Sequence, residues 1–164
     1  MHFPRSLATS LLATLLLAAS ATAVSAQRAV PGPQRFAVMA GLGNAFGGVG
    51  FAAEYHVANG LVGVSTGLGV MPPHDVFDRA FGAAALVRVY SGRGRHALFG
   101  QAGVMPVLQQ WTVAEQRVLY GPALSVGYRY LAAGGFTAMI DIGAGWSSQD
   151  AALVSSLGFG YRWR

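Results

Sequence analysis

The chain ends in the stretch Ser156-Leu157-Gly158-Phe159-Gly160-Tyr161-Arg162-Trp163-Arg164, in which large apolar and aromatic residues alternate with small or charged ones. Because successive side chains of a β-strand point to opposite sides, this alternation predicts a strand with two different faces. One face carries only large apolar and aromatic side chains, those of Leu157, Phe159, Tyr161 and Trp163. The other carries Ser156, Gly158, Gly160 and Arg162.

The same alternation recurs between turn signals along the chain and predicts eight strands. They cover approximately residues 34–43, 48–57, 61–70, 81–90, 97–104, 120–130, 136–146 and 153–163. Most are about ten residues long, the length at which a tilted strand crosses a bilayer. The predicted fold class is all-β, an eight-stranded antiparallel up-and-down transmembrane β-barrel. In segment 97–104 the alternation does not decide which residues face inward.

The predicted connections alternate between short and long. Segments 58–60, 91–96 and 132–135 are short and rich in glycine, as hairpin turns require. Segments 71–80 and 105–119 are long and contain prolines, which we do not expect inside a paired central strand. Segments 44–47 and 147–152 belong to the same second set. This arrangement predicts short turns and both termini in the periplasm, with the longer loops outside the cell.

The alternation also sorts the two faces of the predicted barrel. The apolar set is assigned to lipid, and the set with most of the glycines and charges is assigned to the lumen. Small residues suit an eight-stranded barrel because its interior has little room. Five aromatic residues fall near the periplasmic ends of outward faces and are expected to form an aromatic girdle: Tyr55, Tyr128, Tyr130, Tyr161 and Trp163.

The first residues are typical of an export signal: Arg5 precedes an uncharged run that ends in small residues. We expect a cleaved signal peptide over residues 1–26, with cleavage after Ala23 as the alternative, a short periplasmic leader over 27–34, and the barrel over 35–164. A retained membrane anchor is disfavoured because about 20 apolar residues are needed to span a bilayer.

Composition excludes several other classes of protein. The chain has no cysteine, so a lipid-attachment cysteine, disulfides and thiolate chemistry are excluded. Every basic residue apart from histidine is arginine, and these are scattered rather than clustered, which argues against nucleic acid as a partner. Charged residues make up 10% of the chain, against about 25% in soluble globular proteins. Little of the surface is therefore suited to water.

With these features the chain resembles the small outer-membrane barrels of the OmpA/OmpX type. The segment from Ser156 to Trp163 is similar to their C-terminal assembly signal, although Arg164 follows the terminal aromatic where such chains usually stop. The resemblance implies a location in the outer membrane of a Gram-negative cell, contact with outer-membrane lipid and lipopolysaccharide, recognition of the last strand by the barrel-insertion machinery, and no cofactor.

Charged residues on the predicted luminal face suggest an ion-pair network. Arginine on the lipid face costs about 2–4 kcal/mol at the bilayer midplane, so inward placement is expected. We expect Glu54 to reach Arg88, and Asp141 to bridge Arg129 and Arg162. Such a network would plug the lumen rather than catalyse a reaction. A loosely solvated periplasmic mouth is the alternative, and in either case a wide pore is not expected.

The predicted outer loops hold the remaining candidates. His74, Asp75 and Asp78 are either a cation-binding cluster or ordinary solvated side chains. Trp111 is a candidate for contact with an extracellular ligand, unless its hairpin extends beyond the bilayer and packs on itself.

Three functions from different classes remain open at this point. The leading hypothesis is a structural or surface-interaction barrel of the outer membrane, porin-like in fold and without an active site. The second is a soluble exported lipocalin-like barrel that binds a small apolar ligand, which would require the two faces to be reversed. The third is a lipid-modifying barrel enzyme using His74 or His56, although no histidine has a serine two residues later.

Overall fold

A computed structural model describes residues 35–71, 80–112 and 115–163. The expected signal peptide and leader, the loop residues His74, Asp75 and Asp78, and Arg164 lie outside the described residues. Trp111 lies on a strand, and its side chain is outside the described part of the structure.

Eight antiparallel strands close into a barrel in which each strand pairs with its neighbour in sequence and β1 pairs with β8. The strands are β1 Phe36–Gly43, β2 Gly48–Val57, β3 Val62–Met71, β4 Ala80–Tyr90, β5 His96–Thr112, β6 Glu115–Leu131, β7 Phe136–Trp146 and β8 Ala151–Trp163. Single 3-10 turns lie at Asn44–Phe46 and Ala58–Gly60. The predicted all-β, eight-stranded antiparallel up-and-down barrel is therefore confirmed. No helix among the described residues is both long and apolar enough to cross a membrane.

Side-chain exposure follows the predicted period of two. On β4, Phe81 is 81% exposed and Val87 47% exposed, whereas Arg88 is 0% exposed and faces the lumen. On β5, the segment whose alternation was ambiguous places Phe99 and Gln101 inward and leaves Leu98 exposed. The outer surface of the barrel is thus apolar, and its interior holds the buried charges.

The prediction of a long loop over 105–119 is wrong, because most of this segment is strand. Beyond Val104, β5 pairs with β6 alone, from Met105↔Gly121 to Thr112↔Glu115. Proline is tolerated there because the segment is an edge and the register shifts by a β-bulge between Pro106 and Leu108. The eight residues Met105–Thr112 extend the hairpin by about 25 Å beyond its contact with β4.

Two side chains bridge the place where β5 leaves β4. From β6, the hydroxyl of Tyr120 accepts a hydrogen bond of 3.1 Å from the backbone N–H of Ala83 on β4. From the turn after β1, Asn44 Nδ2 donates to the carbonyl of Pro106 at 2.7 Å. The backbone N–H of Ala83 and the carbonyl of Pro106, both near the break in the ladder, thereby have hydrogen-bond partners.

Candidate functional site

The lumen is the part of the molecule where the charged side chains converge, and its centre is an ion pair between β2 and β4. Arg88 Nη1 donates to Glu54 Oε2 at 2.8 Å. The two residues are on strands separated by β3, whose luminal residue at this level is Gly63. A Cβ at Gly63 would collide with the Glu54 carboxylate. Glycine at this position therefore leaves the space in which the ion pair forms.

The ion pair belongs to a continuous hydrogen-bonded chain, the luminal belt, formed by Tyr90, Glu54, Arg88, Gln101, Ser125 and Asp141. The hydroxyl of Tyr90 donates to Glu54 Oε1 at 2.6 Å, and Arg88 Nε donates to Gln101 Oε1 at 2.6 Å. Gln101 Nε2 donates to Ser125 Oγ at 2.7 Å, and Ser125 Oγ donates to Asp141 Oδ1 at 3.2 Å. The belt joins side chains from β2, β4, β5, β6 and β7 across the interior.

The structure places Asp141 differently from the expected bridge between Arg129 and Arg162. Asp141 pairs with Ser156 on β8, and Arg162 lies six residues further along that strand, about 20 Å away at the usual rise. Ser125 and Ser156 donate hydrogen bonds to the Asp141 side chain instead. This distance exceeds the combined reach of the Asp141 and Arg162 side chains. The expected bridge through Asp141 is therefore absent, and serines contact its carboxylate instead.

Arg129 lies nearer than Asp141 to the end of the barrel that carries the chain termini. Its guanidinium carbon sits 4.1 Å from the centroid of the Tyr90 ring, a cation–π contact. Its Nη2 is 3.5 Å from the carbonyl oxygen of Gly92 in the turn after β4. Arg162 is also buried in the lumen. The charged residues predicted to face the lumen are therefore all buried inside the barrel, and the expected ion pair between Glu54 and Arg88 is present.

The half of the lumen farther from the chain termini is filled by Phe46, which was expected to lie in an outer loop. Its side chain is fully buried. A Cβ at Gly158 would overlap the ring, and a Cβ at Gly41 would come within 2.7 Å of its Cζ. Glycines on β1 and β8 therefore form the cradle that admits the ring. Met105 and Val154 belong to the same buried cluster and add to this apolar filling.

Hydrogen bonds hold the Phe46 turn in place. Ser155 N–H donates to Asn44 Oδ1 at 3.0 Å, and Ala45 N–H donates to Ser156 Oγ at 3.0 Å. Asn44 also bonds Pro106, as described above. The turn is thus fastened to both β8 and β5, and the lumen is occupied at two levels, by Phe46 and by the luminal belt.

The five girdle candidates lie near one rim of the barrel. Tyr55, Tyr128, Tyr161 and Trp163 are all exposed, and Tyr130 is half-buried. The rings of Tyr161 and Trp163 are 5.1 Å apart, and Trp163 stacks on Phe36 of β1 at 6.0 Å. His96 hydrogen-bonds the hydroxyl of Tyr128.

Two kinds of chemical site, a metal centre and a serine–histidine pair, can be compared with the geometry of the described residues. No group of three or more His, Asp or Glu side chains among them is placed to hold a metal ion. His56 Nε2 lies 3.5 Å from Glu54 Oε1, but neither His56 Nδ1 nor Ser65 Oγ has a hydrogen-bond partner. The described residues therefore do not show the serine–histidine contact that nucleophilic hydrolysis uses.

Three luminal residues escaped prediction from the sequence. Tyr90 and Gln101 complete the luminal belt, and Phe46 fills the half of the lumen farther from the chain termini. Tyr90 shares its strand parity with Arg88, which was a usable signal. Gln101 lies in the segment of ambiguous alternation, and Phe46 lies outside the strands, so the period of two carried no information about it.

Comparison with known proteins gives a likeness at the level of the fold. No protein-family model matches the sequence, and no curated protein matches it. Among solved structures, the barrel is similar to the crystal structure of the N-terminal β-barrel domain of Pseudomonas aeruginosa OprF, with a TM-score of 0.62 and 16% sequence identity. The match covers 80% of this chain and 99% of that one. The chain thus has the fold of the small eight-stranded outer-membrane barrels, as the sequence predicted.

Proposed function

We propose that the protein is an integral outer-membrane β-barrel with a closed lumen and a structural or surface-interaction role. The observation that carries the proposal is the distribution of side chains between the two faces. Large apolar residues are exposed on all eight strands, whereas Glu54, Arg88, Arg129, Asp141 and Arg162 are buried inside. Such an exterior suits hydrocarbon, and a water-soluble barrel would expose the polar set.

The filled interior supports a closed barrel rather than a channel. Arg88 and Phe46, both without exposed surface, occupy two levels of the lumen. Eight strands enclose only enough space for side chains or one small ligand. We therefore expect little or no ion conductance. The same filling disfavours a lipocalin-like binding cavity, because the interior already holds ion-paired and aromatic side chains.

The β5–β6 hairpin supports a role at the cell surface. It extends beyond β4 by the eight residues Met105–Thr112, and it lies at the end of the barrel opposite the chain termini. Rigid scaffolds commonly present their contact residues on such extensions. We propose the hairpin as the element that contacts extracellular ligands. A lipid-modifying activity has weaker support, since the described residues show no serine–histidine pair.

The last strand is proposed as the segment that the barrel-insertion machinery recognises. Its outward side chains Phe159, Tyr161 and Trp163 are exposed near the rim. Phe159→Ser is expected to reduce the fraction of folded protein in the outer membrane of cells. Leu153→Ser is the matched control, because Leu153 is equally outward on β8 but lies before the recognised segment. Equal losses for the two variants would contradict the proposal.

Heat-modifiable migration on gels tests the membrane assignment directly. The mature chain is refolded with and without detergent micelles and loaded either unboiled or boiled. A compact band that forms only with detergent and shifts on boiling is the expected result. Folding to a soluble monomer without detergent would overturn the proposal, because the exposed apolar face would then be covered within the protein itself.

A further inference from the structure

Among the described residues, the half of the lumen nearer the chain termini, which we place on the periplasmic side, contains three buried arginines, Arg88, Arg129 and Arg162, and one buried glutamate, Glu54. Both oxygens of Glu54 are taken up, one by Arg88 and the other by Tyr90 and His56. Asp141 is held by serines further along the barrel. No described carboxylate forms an ion pair with Arg129.

Arg129 presents unused donors into this space. It is 4% exposed, and neither its Nε nor its Nη1 has a hydrogen-bond partner. The ring of Tyr90 packs on its guanidinium and fixes its orientation. A buried, unpaired charge with unsatisfied N–H groups is strongly unfavourable unless something of opposite charge or a polar group occupies the site.

Neighbouring cations make an anion the better occupant. Arg162 lies close enough for its charge to repel that of Arg129. Arg88 Nη2 is a further buried donor without a partner. A water molecule would satisfy individual N–H groups but would leave the repulsion between the guanidinium groups unscreened. An anion satisfies the donors and reduces the repulsion together.

We propose that the periplasmic half of the lumen binds a small inorganic anion, of the size of chloride or bromide, with Arg129 as its principal donor. The ion would complete the interior of the barrel as a structural ligand. The inference rests on the inward position of Arg129 and goes beyond the membrane role proposed above.

Bromide soaked into crystals of the detergent-refolded barrel tests the site without any mutation. An anomalous scattering peak within hydrogen-bonding distance of Arg129 Nε or Nη1 is the expected result. Ordered density without anomalous signal at that position would identify water and overturn the proposal.

Stability in different salts supplies the second measurement. At constant ionic strength, replacing sodium gluconate with sodium chloride is expected to raise the thermal midpoint of the refolded barrel, by roughly 5 °C at ten times the dissociation constant. Arg129→Gln should remove the chloride effect, and the exposed Arg93→Gln should retain it as the matched control. An identical chloride response in all three proteins would overturn the site. If Arg129→Gln does not fold, the bromide experiment decides alone. A negative result leaves the requirement for detergent unaffected, so it is distinguishable from failure of the proposed function.

Discussion

A methyl group added at Gly158 tests whether Phe46 occupies the lumen. The new Cβ would overlap Cζ of the Phe46 ring and lie 2.9 Å from Cε2 and 3.2 Å from Cε1, whereas carbon atoms normally pack at about 3.5–4.0 Å. The backbone at Gly158 does not need a positive φ, so the cost of alanine comes from this overlap. Overpacking of this kind lowers the free energy of unfolding by about 1–3 kcal/mol.

The effect should depend on the ring itself. Phe46→Ala alone removes a fully buried aromatic side chain and should cost about 3–5 kcal/mol. In that background the methyl group at position 158 enters vacated space, and its cost should fall to nearly zero. The double variant is therefore expected to be more stable than the sum of the two single effects predicts, by about 1–3 kcal/mol.

Urea unfolding of the four proteins in detergent, followed by tryptophan fluorescence, measures this coupling. Gly134→Ala is the matched control, because a Cβ there would meet nothing within 4 Å, and it should leave the unfolding midpoint within error. If the two single effects add to within about 0.5 kcal/mol, Phe46 does not occupy the cradle and the argument for a filled outer lumen fails.

Three further perturbations address the ion pair, the turn and the lipid face. Glu54→Leu should lower the free energy of unfolding by about 3–5 kcal/mol by leaving Arg88 unpaired, and adding Arg88→Leu should recover part of it; urea titrations in which the second change worsens stability would refute this. Asn44→Ala should cost about 1–3 kcal/mol through its lost hydrogen bonds to Pro106 and Ser155, and an unchanged urea midpoint would show that they carry no stability. Ile140→Arg, on the exposed face of β7, should cost about 2–4 kcal/mol in bilayers, a loss that refolding yields into vesicles would reveal.

The arrangement of the wall was predictable because one physical constraint acts on every strand. An apolar exterior and a crowded interior impose a period of two, and residues such as Phe81 and Arg88 follow it regardless of their neighbours. The lengths of the strands and the register between them were less predictable from the sequence. The sequence underestimates the length of β5, because proline interrupts most strands. Proline is tolerated at position 106 because β5 no longer pairs with β4 there, and only the pairing of these two strands reveals this edge.

The site was less predictable than the wall because its contacts are non-local. The contact between Glu54 and Arg88 was predicted correctly, because both side chains face the lumen and only β3 separates their strands. The contacts of Asp141 were not predicted, because they depend on the register between β7 and β8. That register places Ser156 rather than Arg162 opposite Asp141. Phe46 lies in a 3-10 turn, where no alternation marks the inward direction. The sequence shows the glycines of its cradle, but it does not show that they surround the Phe46 ring.

The bulge at Pro106 separates two mechanical parts of the molecule. Below it, every strand is paired on both sides. Above it, β5 has lost its pairing with β4, and the hydrogen bonds of Tyr120 and Asn44 connect the base of the hairpin to the wall. Changes in length or composition near the tip therefore leave the hydrogen-bond register of the wall intact. A foreign peptide inserted between β5 and β6 should therefore be tolerated, and the sequence of this hairpin can diverge without loss of folding.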